Sequence, residues 1–237
     1  MRSLIVMAMF VASLASAEFG GHTEARDLQL SADGITVLEL DTGAGSLKIT
    51  GVVDAEDIRV SALIRIDEED EKKIRKVIDS DMNLALEKSS DRAKLTATFD
   101  DKFWGNNDER SIDLEILMPT GIALKIDDGS GSIDISEVSA DISIDDGSGS
   151  ILVRTVGNLR IDDGSGSISI YAAAGDVSID DGSGSITVEQ VGGSVIIDDG
   201  SGGIDVSNVE HDLIIIDDGS GDLAVSNIRG TVKNDGS

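Results

Sequence analysis

The chain has 237 residues, no cysteine, and a formal net charge of −27 from 46 acidic and 19 basic side chains. The missing cysteine excludes disulfides, thiolate metal sites and a lipid anchor attached through cysteine. The charge excludes nucleic acid and anionic lipid as partners and favours cations or basic ones. Acidity alone is also a mark of disorder, but a hydrophobic content of 40% with strict Ile/Val alternation points to a folded core. Only 3% of residues are aromatic, and 27 glycines stand against one proline, which fits a narrow core of β-branched side chains with glycine at the turns.

Arg2, the apolar run from Leu4 to Leu14 and the small residues Ala15-Ser16-Ala17 form the pattern of a secretory signal peptide over residues 1–17, with Glu18 as the mature N-terminus. A run of eleven residues is too short to cross a bilayer, which takes about 20, and no later segment reads as a transmembrane helix. The chain is therefore expected to be exported, to the periplasm or outer surface of a Gram-negative envelope. Residues 18–33 read as a flexible polar lead-in to one domain over 34–237.

Ile35 to Asp41 alternates apolar and polar residues as a strand does. Asp41-Thr42-Gly43-Ala44-Gly45-Ser46-Leu47-Lys48-Ile49 is then a loose copy of a motif that recurs later. Residues 56–119 interrupt the pattern, as an insertion or as irregular coils. Strands are predicted at 57–66, 82–87, 94–99 and 111–118. The charged stretch from Glu68 to Asp79 sets Ile74, Val77 and Ile78 on one face of a short helix. A polar loop from Asp100 to Arg110 carries the only tryptophan, Trp104.

Residues 121–237 are regular. Ile-Asp-Asp-Gly-Ser-Gly occurs six times, its first aspartates being Asp127, Asp145, Asp162, Asp180, Asp198 and Asp217, at spacings of 18, 17, 18, 18 and 19. Such a period predicts an all-β, single-domain parallel β-solenoid with two short strands per coil of about 18 residues, right-handed by the crossover rule. One strand turns Ile133 and Ile135, Ile151 and Val153, or Ile168 and Ile170 inward. Val138, Val156, Val191, Val209 and Ile228 plug the next corner. The second strand buries Ile142 and Ile144, Leu159 and Ile161, Val177 and Ile179, Val195 and Ile197, or Ile214 and Ile216. A left-handed hexapeptide helix also has 18 residues per coil, but it needs an apolar residue every six, and the spacings here run 2, 3, 4, 2 and 7.

The aspartate pairs are the candidate metal ligands: Asp127 and Asp128, Asp145 and Asp146, Asp162 and Asp163, Asp180 and Asp181, Asp198 and Asp199, Asp217 and Asp218. Like charges about 4.8 Å apart in stacked strands repel by nearly 1 kcal/mol per pair even in water, so the array either stays solvated or binds cations. Calcium, which takes carboxylate and carbonyl oxygens in flexible geometry, is the natural candidate, with other cations as alternatives. RTX arrays bind calcium between coils, although their aspartate follows the glycines and here it precedes them. The competing reading is turn chemistry, in which aspartate bonds its own backbone and glycine supplies positive φ.

An outward row on the second strand runs Lys125, Ser143, Arg160, Ser178, Ile196, Ile215. Its apolar end, with Leu213 nearby, makes Ile196, Leu213 and Ile215 a candidate partner surface. Val232 to Ser237 begins another repeat and stops inside its turn, an uncapped coil through which copies of the chain could self-associate. Catalytic residues are not identifiable. His22 lies in the lead-in, His211 sits beside Asp212 in a turn, and no serine stands in a Gly-x-Ser-x-Gly elbow. A carbohydrate-active β-helix enzyme acting on acidic polysaccharide is the alternative. It would need basic or aromatic residues beside the carboxylates, where the array has Tyr171 and no tryptophan. No outward ladder is the regular threonine array of an ice-binding solenoid.

Asp41 to Gly51, the strand Asp57-Ile58-Arg59-Val60, the Trp104 loop and Leu114-Glu115-Ile116-Leu117-Met118-Pro119 leading into stacked Asp-Gly-Ser-Gly-Ser-Ile coils together resemble a bacterial exported adhesin-domain family of unassigned function. The resemblance covers about residues 34–237. It implies a β-solenoid of the cell envelope, with an envelope or cell-surface protein or glycan as partner, and it carries over no catalytic motif. The reading is a non-catalytic structural or adhesion-like solenoid with calcium along its Asp-Asp turns.

Overall fold

A computed structural model describes residues 11–12, 21–100 and 109–236. The signal-peptide assignment therefore lies outside the described residues except for Val11–Ala12, and the Trp104 loop lies outside them from 101 to 108. The fold is all-β, with two mainly parallel sheets stacked face to face around a core of Ile, Val and Leu.

Each regular coil contributes one strand to each sheet. In the first sheet, Ile133–Val138, Ile151–Val156, Ile168–Ala173, Ile186–Val191, Ile204–Val209 and Leu223–Ile228 follow one another in parallel. In the second, Ala123–Ser130, Ile142–Asp146, Leu159–Asp163, Val177–Asp181, Val195–Asp199, Leu213–Asp217 and Val232–Asn234 do the same. Like residues meet like residues across the ladders: Ile151 lies between Ile133 and Ile168, and Ile161 between Ile144 and Ile179. Period-2 alternation sends these side chains inward, where each contributes on the order of 1.5–3 kcal/mol when fully buried. At the corner between the strands one residue drops out of the ladder into left-handed backbone: Glu137, Thr155, Ala172, Gln190, Asn208 or Asn227, with φ between 53° and 63°. This turns the next residue, such as Val138 or Val156, into the core as the plug.

Residues 56–119 are the cap of the stack. Arg92–Phe99 and Arg110–Pro119 form a coil that lies against Val37–Ala44 and Leu47–Val52, on the side away from Ala123–Ser130 and Ile133–Val138. The chain thus lays down its second coil beneath its first, then passes over it to begin the array. Antiparallel strands finish this end: Met82–Ser89 on Arg92–Phe99, and Asp57–Ile66 on Arg110–Pro119. Between them run the helix Glu71–Lys76, capped where the Asp70 carboxylate accepts the Lys72 N–H at 2.8 Å, and a π-turn at Val77–Asp81. Ile74 and Val77 join the common core.

The expected flexible lead-in does not hold from residue 22. His22–Ser31 is a ten-residue strand antiparallel to Asp57–Ile66. Leu28 and Leu30 pack on the core, and the full ladder of backbone bonds compensates for the polar sequence. Val11–Ala12 pairs in turn with Ala25 and Arg26.

Candidate functional site

The Ile-Asp-Asp turn continues strand alternation into the corner. In the third copy Ile161 points in, Asp162 points out and is exposed, and Asp163 points in again. The two carboxylates of a pair therefore lie on opposite faces of the sheet, which a single metal site cannot use together. The outward members, Asp127, Asp145, Asp162, Asp180 and Asp198, pair in register down one ladder and stay in contact with water. The inward members, Asp128, Asp146, Asp163, Asp181 and Asp199, form a second ladder and are between 0% and 4% exposed. Turn chemistry places all twelve paired aspartates in water; five of them are buried.

Each inward carboxylate makes one bond with one oxygen. Oδ1 of Asp146, Asp163, Asp181 and Asp199 accepts the N–H of the serine two residues on, at 3.1–3.3 Å. That is the Asx turn expected of the motif. Asp128 Oδ1 instead accepts the Thr42 hydroxyl at 2.5 Å. The other oxygen, Oδ2, is buried and without a hydrogen-bond partner in all five. Glycine lets the corners stack this closely. Gly166 has φ 149°, and a Cβ there would lie 1.5 Å from the Gly149 carbonyl oxygen of the preceding coil.

Burial raises the carboxyl pKa of all five inward aspartates. Asp146 is pushed up to about 6 by burial and by Asp128 and Asp163 on either side. Asp181 also reaches about 6, through burial, partly offset by the Ser183 N–H, with Asp163, Asp199 and Asp180 adding repulsion. At Asp128 the Thr42 bond opposes the rise. Thr42 is itself the next rung of the ladder and Ala97 the one after, so the column runs from apolar to hydroxyl to carboxylate.

The sixth copy is irregular. Val195 pairs with Leu213 and Ile197 with Ile215, but Asp198 pairs with Asp217, so Ile216 is an extra residue in the ladder. The spacing of 19 is absorbed there. As a result Leu213 and Ile215 are fully buried core residues and Ile216 is 48% exposed. The candidate partner surface at Ile196, Leu213 and Ile215 is corrected accordingly: counting back from the aspartates put the strand out of register by one. Ile196 is exposed, and Ile214 follows it in the outward row. Asp217 is exposed, and its carboxylate accepts the Gly219 N–H at 2.9 Å. Asp218 is half-buried and accepts from the Asn234 amide at 3.0 Å.

A shallow groove of about 520 Å³ lies along the second sheet, with Ser143, Arg160, Ser178 and Ile196 among its lining residues. Among the described residues no three His, Asp or Glu side chains converge as metal ligands. His211 is exposed and Tyr171 lies on the outer face of the first sheet. The inward column and its Thr42 end were missed from the sequence, although alternation through Ile-Asp-Asp was the signal for them.

No protein-family model matches the chain, and no curated protein does. Among solved structures it is similar to a "Putative lipid binding protein" and a "putative adhesin", both from Parabacteroides distasonis and both 14% identical. The first has a TM-score of 0.48, covering 92% of this chain and 96% of that one. The second has a TM-score of 0.45, covering 91% and 98%. A "putative cell adhesion protein" from Clostridium sporogenes is 12% identical, with a TM-score of 0.36 over 90% of this chain and 99% of that one. Likeness at this level carries no functional information.

Proposed function

We propose that this protein is an exported, non-catalytic β-solenoid of the cell envelope, a structural or adhesion-like module that holds calcium along its outward aspartate row. The observation that carries the reading is the row itself. Asp127, Asp145, Asp162, Asp180 and Asp198 repeat in register on the water-facing side, with Asp217 next in line. Their pitch is about 4.8 Å, twice a calcium–oxygen distance of about 2.4 Å, and water is at hand to complete the coordination shell. A repeating row of this kind suits a repeating partner, such as an envelope glycan bridged through the bound ions, or an envelope protein. The inward carboxylates take no part, since their oxygens face the core. A glycosidase uses one acid pair at one site, whereas this row repeats the same carboxylate uniformly from coil to coil.

Calcium titration followed by thermal melting tests the proposal. Saturating calcium should raise the melting temperature, and Asp162→Asn with Asp180→Asn should remove most of the rise. An unmoved melting temperature in the wild type would end the calcium assignment. Incubation with acidic polysaccharides should release no sugar; turnover abolished by a single Asp→Ala change would overturn the non-catalytic reading.

A further inference from the structure

The irregular sixth copy builds a surface that the other coils lack. On the outer face of the second sheet, the row beside the aspartates runs Lys125, Ser143, Arg160, Ser178 and turns apolar at Ile196 and Ile214. In the first five copies the second residue after this row is an outward aspartate; in the sixth that place holds Ile216. The extra residue is a bulge, which re-aims a side chain. It sends Ile216 out on the same strand as Ile214 and still sets Asp217 level with Asp198. Ile196 is 37% and Ile216 48% exposed, and Ile214, next to both, is half-buried. Neighbouring strands lie about 4.8 Å apart and alternate residues of one strand about 6.6 Å, so the three side chains form one patch. Single exposed aliphatic residues are ordinary, whereas three adjoining ones on an otherwise polar face mark a contact surface.

The charge around the patch is of one sign. Residues 161–228 hold 14 acidic side chains and no lysine or arginine. Asp180, Asp198 and Asp217 carry the outward carboxylate row along one side of the isoleucines. The nearest cations of the outer row are Arg160, two rungs before Ile196, and Lys233, one rung after Ile214 and ion-paired with Asp235. A second copy of the chain seated here by a twofold contact would set the same carboxylates against one another. An anionic surface would be repelled in the same way. Complementarity to aliphatic side chains beside a carboxylate row calls for an aliphatic strip beside ammonium or guanidinium groups.

We propose that Ile196, Ile214 and Ile216 seat a basic amphipathic segment of a partner protein. Its aliphatic side chains cover the three isoleucines, and its lysines or arginines pair with Asp180, Asp198 and Asp217. The site gives the protein partner of the reading above a definite chemistry, and it does not rest on the calcium assignment, since cationic side chains take the place of the ion.

The probe is a synthetic peptide of alternating leucine and lysine, which in extended form has one aliphatic and one cationic face. Its affinity for the whole protein is measured by fluorescence anisotropy in a calcium chelator, so that failure here and failure of the calcium assignment are read separately. Wild type should bind, and raising sodium chloride from 0.05 M to 0.5 M should weaken binding about tenfold or more. Peptides with glutamate for lysine, or serine for leucine, should bind about tenfold more weakly or worse. Ile196→Ser and Ile216→Ser should each weaken the leucine–lysine peptide about fivefold, because under half of each side chain is left to bury. Both should melt as wild type does. Tyr171→Ser, on the outer face of the other sheet, should leave the affinity unchanged. No wild-type binding at 0.05 M salt, or binding that neither isoleucine substitution weakens, overturns the proposal. So does equal affinity for the serine–lysine peptide, since acidity alone then suffices. Wild-type dimers in sedimentation that Ile216→Ser dissociates would assign the patch to a second copy instead. Adsorption to phosphatidylcholine vesicles lost in the same variant would assign it to a lipid surface, and either result overturns the assignment.

Discussion

Gly166→Ala should break the stack at a single atom. The new Cβ would sit 1.5 Å from the Gly149 oxygen and 2.6 Å from its carbon, where ordinary contact begins at 3.4 Å. The two coils would have to part by about 1.9 Å, against a ladder pitch of about 4.8 Å. Three bonds tie them at this corner: Gly149 N–H to Ser165 O, Ile151 N–H to Ser167 O and Gly164 N–H to Asp146 O, each 2.9 Å. Losing them costs about 1 kcal/mol apiece, and holding alanine at φ 149° adds about 1–3 kcal/mol. The expected loss is therefore about 4–6 kcal/mol, a large share of the 5–15 kcal/mol that stabilises typical proteins. Urea unfolding followed by circular dichroism measures it. Gly121→Ala is the control, since nothing lies within 4 Å of its Cβ, and it should stay within about 0.5 kcal/mol of wild type. A Gly166→Ala loss under about 1 kcal/mol would refute close stacking of the corners.

Thr155→Asn should raise the melting temperature, because a β-branched residue sits at φ 54° where the equivalent positions in two later coils are Asn208 and Asn227; the gain is about 1 kcal/mol. Thr42→Val removes the donor to Asp128 and should cost about 1.5–3 kcal/mol at pH 8. That bond favours the ionised carboxyl, so the penalty shrinks as pH falls and Asp128 protonates, which denaturation at pH 5 and pH 8 would display. Leu213→Asp should unfold the last coils in a circular dichroism melt, whereas Ile216→Asp, one register step away and exposed, should change stability by less than about 0.5 kcal/mol.

The regular array was legible because the physics that builds it is periodic. Ile, Asp and Gly recur at one pitch, and the inward residues of five coils follow from alternation alone. The same rule carried one step further places Asp163 inside after Ile161 and Asp162. Asp163 can stay inside because its turn supplies an N–H to one carboxyl oxygen and burial raises its pKa toward the neutral form. Leu213 and Ile215 were misplaced for a related reason. Counting from the aspartates shifts the strand by one, whereas the apolar ladder keeps its register and the surplus residue Ile216 is pushed out. The cap was the least legible part. Strands at 57–66 and 94–99 can be found locally, but nothing local says that 92–119 stacks beneath 37–52, or that the polar segment 22–31 finds a full-length partner in Asp57–Ile66.

A carboxyl-carbon NMR titration of the aspartates between pH 3 and pH 8 tests most directly that each of the first five copies of the motif divides its pair between water and core. Asp146 and Asp181 should titrate near 6, with Asp128, Asp163 and Asp199 also above the ordinary carboxylate value of about 3.9. Titration of these five at or below that value would mean that the second aspartates of these copies face water, and the account would be wrong.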